Sequence, residues 1–437
     1  MNQYALTLLF EYIISKNKLL TNKKAVLMVI TVQSKNQTRR QSDISLFFVV
    51  LGMWMLFIHE LLKSLAYINM TLAYAGFLIL FIAFVVEIAN GSVYYIKAKY
   101  RSMIVLIWFF LFFAFLYGLI KQHPLQMLSR DILPLSYFAC FLFAARTQKW
   151  HVIDKMIYRQ FLIGLCVFIY LWFNHNGPLN RLTISLNLLS WDRPRIGWAW
   201  ILLYGWQYMF LSYSRDMAVF RKCITIIGVS SFIVFGLIML KRQVIIEVVI
   251  ILLIKIFYEI KENNYNKTKA LRIVWSVLFI GIFSISIVTY LQRKEGIAYF
   301  ETLLIRSTQA GSMIDTTLTD ARFSLIPMTI YNNASLGEVF FGQGLGSSYE
   351  RPDGSSNTVE SGAIAMFLKG GILYLVMWFF FFITILKDTF INRQKDNIFF
   401  KCLSSFFIFG YIGAPFLIYF PASGYHMFWL GRSVSVK

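Results

Sequence analysis

The chain has 437 residues, of which 58% are hydrophobic, 18% aromatic and only 14% charged, with a mean hydropathy of +0.62. Soluble domains are about half apolar and about a quarter charged, so this composition excludes a soluble globular protein; its long apolar runs require membrane-crossing helices, not the short alternating strands of a barrel. The net charge of +21 is dispersed through short loops between apolar runs, which points away from a nucleic-acid partner and towards the Lys/Arg excess of cytoplasmic loops.

In chain order, residues 1–43 carry Lys16, Lys18, Lys23, Lys24, Lys35, Arg39 and Arg40 and read as a basic cytoplasmic extension. Met1–Leu20 has Glu11 in its apolar part, no basic start and no small-residue cleavage site, so it does not read as a cleavable signal. A start assigned too far upstream accounts for the same stretch equally well. Residues 44–437 read as a single membrane domain of the all-α polytopic class with about 11–12 transmembrane helices. Spans are expected at roughly 44–62, 66–88, 103–120, 131–146, 159–173, 196–213, 223–240, 244–258, 273–290, 361–386 and 399–420.

Alternate loops differ in charge. One set holds Lys97, Lys99 and Arg101, then Arg146, Lys149, Lys155 and Arg159, and later Lys261, Lys267, Lys387 and Arg393, which assigns it to the cytoplasm. Residues 174–195, 241–243 and the long loop 291–360 then face outwards. Within that loop Tyr299–Gln309 and Ala321–Tyr331 mix apolar and polar residues at helical spacing, as short helices lying on the outer surface do. An odd count of spans puts residues 421–437 outside, unless a short span is miscounted or Tyr425–Leu430 re-enters the membrane. The four cysteines lie in or beside apolar runs with no CxxC spacing and read as packing residues.

The outer side holds more cations than sidedness predicts. Arg193 and Arg195 precede the sixth span, Lys241 and Arg242 form a tight turn, and the long loop adds Arg293, Lys294, Arg306, Arg322 and Arg351. An anionic ligand explains them; a solvated loop is the alternative, and it fits Arg195 and Arg242 least because they stand at span ends. The GQGLG stretch places Gly342, Gly344 and Gly346 at alternate positions, which permits a tight turn and close backbone approach to a ligand. It has neither the Rossmann spacing nor a following GK[ST]. Glu360, at the mouth of the tenth span, and Glu350, just past the glycine turn, are the candidate general bases for a sugar hydroxyl, with a solvated acid or a helix N-cap partner as the alternative. No HExxH, DxD or His pair offers a metal site, and no cofactor is indicated. Glu247 and Lys369 fall inside spans. Each costs about 2.5–3.5 kcal/mol there and needs a polar interior or a partner. A span that starts at Gly370 instead leaves Lys369 near the interface.

Taken in order, DRPRIGW around Arg195, the KRQ turn with Arg242, Asp320-Ala321-Arg322, GQGLG, Glu360 and KGGILYLV from Lys369 resemble the bacterial O-antigen polymerase and O-antigen ligase superfamily over roughly residues 192–386. The resemblance implies a metal-independent membrane glycosyltransferase similar to the C-type fold, with its active face on the periplasmic side of the inner membrane. Its partners are an undecaprenyl-diphosphate-linked oligosaccharide donor and acceptor, the lipid bilayer and, for polymerases, a chain-length regulator. By matching position, Arg195, Arg242 and Arg322 hold the diphosphate. Ligases of this type carry a His after the glycine turn where this chain has SSNTVESG, so the polymerase is preferred over the ligase. A lipid-linked oligosaccharide flippase or other transporter is the alternative from another class; the gathering of charge and glycine signals on one outer loop favours chemistry at a surface over it.

Overall fold

The computed structural model describes residues 44–62, 70–147, 149–173, 331–332, 334–351, 354–356, 362–391 and 421–436, with isolated helical positions between 219 and 286. Two compact units divide the chain, Met1–Phe48 and Val49–Lys437. The described residues of the first are 44–48, and all other described residues belong to the second.

Among the described residues five helical segments are long and apolar enough to cross a membrane, which makes this a polytopic helical membrane protein. They are α1 (Ile44–Leu62), α2 (Met70–Ala89), α3 (Ala98–Ile120), the composite Leu125–Arg146, and Ile364–Ile385. The composite is built from α4 (Leu125–Ile132), a 3-10 stretch (Leu133–Tyr137) and α5 (Phe138–Arg146). Pro134 enters that stretch, and a residue without an N–H cannot continue the α-helical ladder. Further elements are α6 (Trp150–Phe173), α7 (Leu336–Phe341), strands β1 (Tyr349–Arg351) and β2 (Gly354–Ser356), α8 (Gly362–Ile391) and α9 (Pro421–Val434).

The helices have two recognisable ends. At one, Glu87 of α2 accepts from Arg146 at 2.6 and 2.9 Å and from Ser92, while Lys99 and Tyr100 of α3 bind Asp388 of α8. Lys97, Lys99, Arg101, Arg146 and Lys149 all lie here, at the end that loop charge assigns to the cytoplasm. From it α3 runs about 34 Å, at about 1.5 Å per residue, to the far end, and α8 returns antiparallel to it, with the Tyr100 ring against Phe381.

Helix α9 packs along α5 in the same direction. Gly424 faces Tyr137 and Met53, and Gly431 sits so close to Phe141 that any Cβ would strike its carbonyl. Small residues let helix backbones approach in this way. Tyr425 donates to Gln160 of α6 in the buried centre of the unit. The chain then leaves α9 at the basic end, where Lys97 N donates to Val434 O at 3.0 Å and Val436 N to Tyr95 O at 2.8 Å, with Ile96 bridged to Ser435.

Three expectations change. Residues 421–436 do not end on the outer side implied by an odd span count; they form a buried helix that finishes beside Lys97. The long loop also carries a hairpin that is not among the expected elements, since β1 and β2 pair antiparallel with Tyr349 opposite Ser356 and Arg351 opposite Gly354. Between them the sequence Pro352-Asp353 followed by Gly354 carries turn chemistry that favours a hairpin over a helix. The helix expected at 159–173 is longer, since α6 begins at Trp150 instead of Arg159. The extension 1–43, the spans expected at 196–213, 223–240, 244–258, 273–290 and 399–420, Glu247 and the segment 299–309 lie outside the described residues, apart from single helical positions such as Cys223 and Trp275. So does 321–331, except Tyr331.

Candidate functional site: a glycine loop seated in a broken helix

Ser335 starts α7 with a capping box. Its hydroxyl accepts from Glu338 N at 3.4 Å and its own N–H donates to Glu338 Oε2 at 2.8 Å. Glu338 also takes Lys121, just beyond α3, at 3.2 Å. The Ser335 N–H, helped by the Lys121 ammonium, holds the Glu338 carboxyl below the usual carboxylate range against the effect of burial, and Glu338 in turn raises Lys121. The entry to the loop is thereby tied to α3.

Beyond α7 the backbone turns through Gly342, Gly344 and Gly346 at φ of 80°, 89° and 80°, the left-handed region that favours glycine. The reason for glycine at 344 is visible: a Cβ there would lie 2.6 Å from Gly118 N of α3. Every N–H along the loop finds a fixed acceptor. Gln343 N donates to Leu368 O at 2.7 Å, Gly344 N to Lys369 O at 3.1 Å, Leu345 N to Ala114 O at 2.9 Å and Gly346 N to Asp131 Oδ2 at 2.6 Å. His123 Nε2 stands 2.9 Å from Gln343 O.

Two of those acceptors exist because α8 is broken. Gly371 has φ 72° and ψ −175°, so the helical ladder is interrupted there. In an unbroken helix Leu368 O and Lys369 O would receive the N–H groups of residues 372 and 373. The loop supplies N–H groups in their place, and the polar backbone of the break is satisfied inside the protein. Lys369, two residues before the break, binds the Asp131 carboxylate and reaches Ser347 O at 3.3 Å. Asp131 thus joins loop, α4 and α8. The close approach that the three glycines allow is made to the backbones of α3, α4 and α8.

The turn from α3 to α4 is itself unusual. His123 N donates to Gly118 O at 3.1 Å and Gln122 N to Leu119 O at 3.0 Å, a Schellman ending whose left-handed position is Gln122 at φ 57° instead of a glycine. Left-handed backbone costs a residue with a Cβ about 1–2 kcal/mol. Gln122→Gly is expected to raise stability by about 1 kcal/mol and Gln122→Val to lower it, read as opposite shifts in thermal midpoint of the purified protein. Equal shifts would place the strain elsewhere.

Of the residues singled out in the sequence, the structure brings Gly342, Gly344 and Gly346 together with Lys369. Glu350 lies in β1, but its side chain is outside the description. Arg195, Arg242, Arg322 and Glu360 lie outside the described residues. Asp131 and His123 were not connected to the loop by sequence, although a lone Asp opening one span and a lone Lys inside another, both at the far end, carried the signal. Lys369 has the partner that its position in a span demanded. No family model, curated protein or solved structure matches the chain.

Proposed function

We propose that this protein is a membrane glycosyltransferase of the O-antigen polymerase type, which transfers a growing glycan from undecaprenyl diphosphate to a lipid-linked repeat unit at the periplasmic face of the inner membrane. The observation that carries the reading is the seating of the GQGLG loop in the α8 break at the end opposite the Lys/Arg-rich loops. The loop's framework is fixed at one face of the bundle, as chemistry on a surface-bound lipid head requires, and it belongs to the outer loop 291–360. Arg195, Arg242 and Arg322 grip the diphosphate, whose charge grows as the bond between anomeric carbon and phosphate oxygen breaks. An acceptor hydroxyl attacks that carbon and gives its proton to Glu360 or Glu350. No metal or nucleotide is needed in this scheme.

The break in α8 favours a second reading, a lipid-linked oligosaccharide transporter, because discontinuous helices serve substrate and ion sites in transporters. Against it, the carbonyls released by the break are consumed by Gln343 and Gly344 and are not left for a ligand.

Alanine at Arg195, Arg242 or Arg322 is expected to abolish long glycan ladders on a gel while single repeats are still attached to the lipid core. Loss of every chain would favour a ligase or transporter. Normal ladders in all three variants would overturn the site assignment.

A further inference from the structure

We propose that the basic end of α3 is a binding site for the phosphodiester of an anionic phospholipid, with Arg101 as its principal ligand and Lys97 beside it. This inference stands apart from the glycine loop and from the glycosyltransferase reading.

The first observation is an imbalance of charge. Lys97, Lys99 and Arg101 stand within five residues at the start of α3, whose first turn contains no acidic residue and whose N-cap, Lys97, offers no side-chain acceptor. Helix N-termini favour anions, so three cations here run against the local field. Asp388 answers Lys99 and Tyr100, and the nearby Glu87 is engaged by Arg146 and Ser92. Burial, and secondarily Lys99, hold Lys97 below the usual lysine range despite the pull of Asp388. Positive charge at this spot is under-compensated.

The second observation is a specific orphan. Arg101 Nε is buried and donates to no acceptor among the described residues, while its guanidinium lies 5.5 Å from the centroid of the exposed Tyr94 ring. Buried donors are nearly always paired, and a guanidinium fork matches two oxygens of one phosphate. The third observation identifies the source of that phosphate. Directly below Arg101 on the same helix face run the exposed side chains of Val105, Phe109 and Phe112. A cation heading an apolar stripe, flanked by an amphipathic tyrosine at the end of a membrane span, fits a headgroup above acyl chains and not a free anion.

The full chain purified in dodecyl maltoside tests this by titration with phosphatidylglycerol, phosphatidylcholine or inorganic phosphate while the thermal midpoint is followed. Phosphatidylglycerol should raise the midpoint at a lower concentration than phosphatidylcholine, and inorganic phosphate should leave it unchanged. Arg101→Gln should raise the half-saturating phosphatidylglycerol concentration about fivefold, the effect of one cation at a lipid surface. Lys155→Gln, an exposed cation in the first turns of α6, should behave as wild type. If Arg101→Gln does not accumulate, Lys97→Gln should show the same direction of change. Equal responses to the two lipids, a full response to phosphate alone, or equal losses in Arg101→Gln and Lys155→Gln would each overturn the proposal.

Discussion

Replacing Lys369 by methionine is expected to destabilise the protein by about 3–5 kcal/mol, the cost of leaving a buried carboxylate without its counter-ion. The side chains of Lys369 and Asp131 are only 12% and 13% exposed, which places the pair with buried ion pairs and not with surface pairs worth at most about 1 kcal/mol. Asp131 would keep only the Gly346 N–H. The companion double variant, Asp131→Asn with Lys369→Met, removes both charges and is expected to lose clearly less than the sum of the two single changes. Thermal unfolding of the four proteins in one detergent completes the cycle. Additive losses would show that the two groups do not act together, and the loop would need another anchor.

Substitution at the contact between loop and α3 should be nearly as severe. A Cβ on Gly118 would press into the backbone of Leu345, which cannot swing aside as a flexible side chain can. Gly118→Val is therefore expected to expel the loop from its seat, removing the bonds from Leu345 N to Ala114 O and from Gly346 N to Asp131. Protease sensitivity between α7 and α8 should rise sharply and, on the proposed polymerase function, long glycan chains should disappear. Gly344→Ala should give the same phenotype in milder form, since it adds strain of about 1–2 kcal/mol at φ 89° to the contact with Gly118. Gly337 supplies the control: a Cβ there meets nothing within 4 Å, so Gly337→Ala should be neutral or slightly stabilising in α7. Unchanged protease resistance in Gly118→Val would contradict the seating described above.

How far these features could be read from the chain depends on the type of interaction. Hydrocarbon thickness sets a minimum length for an apolar run, so α1 and the far ends of α2 and α3 were legible to within a residue, while α3 starts five residues before the expected span. The break in α8 was not, because Lys369-Gly370-Gly371 interrupts neither length nor hydropathy; glycine permits a positive φ without announcing one. The alternate glycines signalled a close approach correctly, but local sequence cannot say whether the neighbour is a ligand or another helix. Here Gly118, more than two hundred residues upstream, decides it. Lys369 announced by its depth that it needed a partner, and its identity as Asp131 depended on which helices become neighbours. The same limit explains the misplaced end of the chain. Pro421, Ser423, Gly424, His426, Gly431 and Arg432 dilute the hydropathy of α9 below that of a lipid-facing span, yet they suit a helix enclosed by protein, where Gly431 and Tyr425 have specific neighbours.

That enclosure bears on biogenesis. Helix α9 fills the space beside α5, with Gly424 against Met53 of α1 and Tyr425 on Gln160 of α6, all of which are synthesised long before it. Until residues 421–434 emerge from the ribosome, the early helices must wait in the membrane with an open flank, shielded by lipid or by an insertion chaperone. Closure of this bundle is consequently a late, post-insertion event.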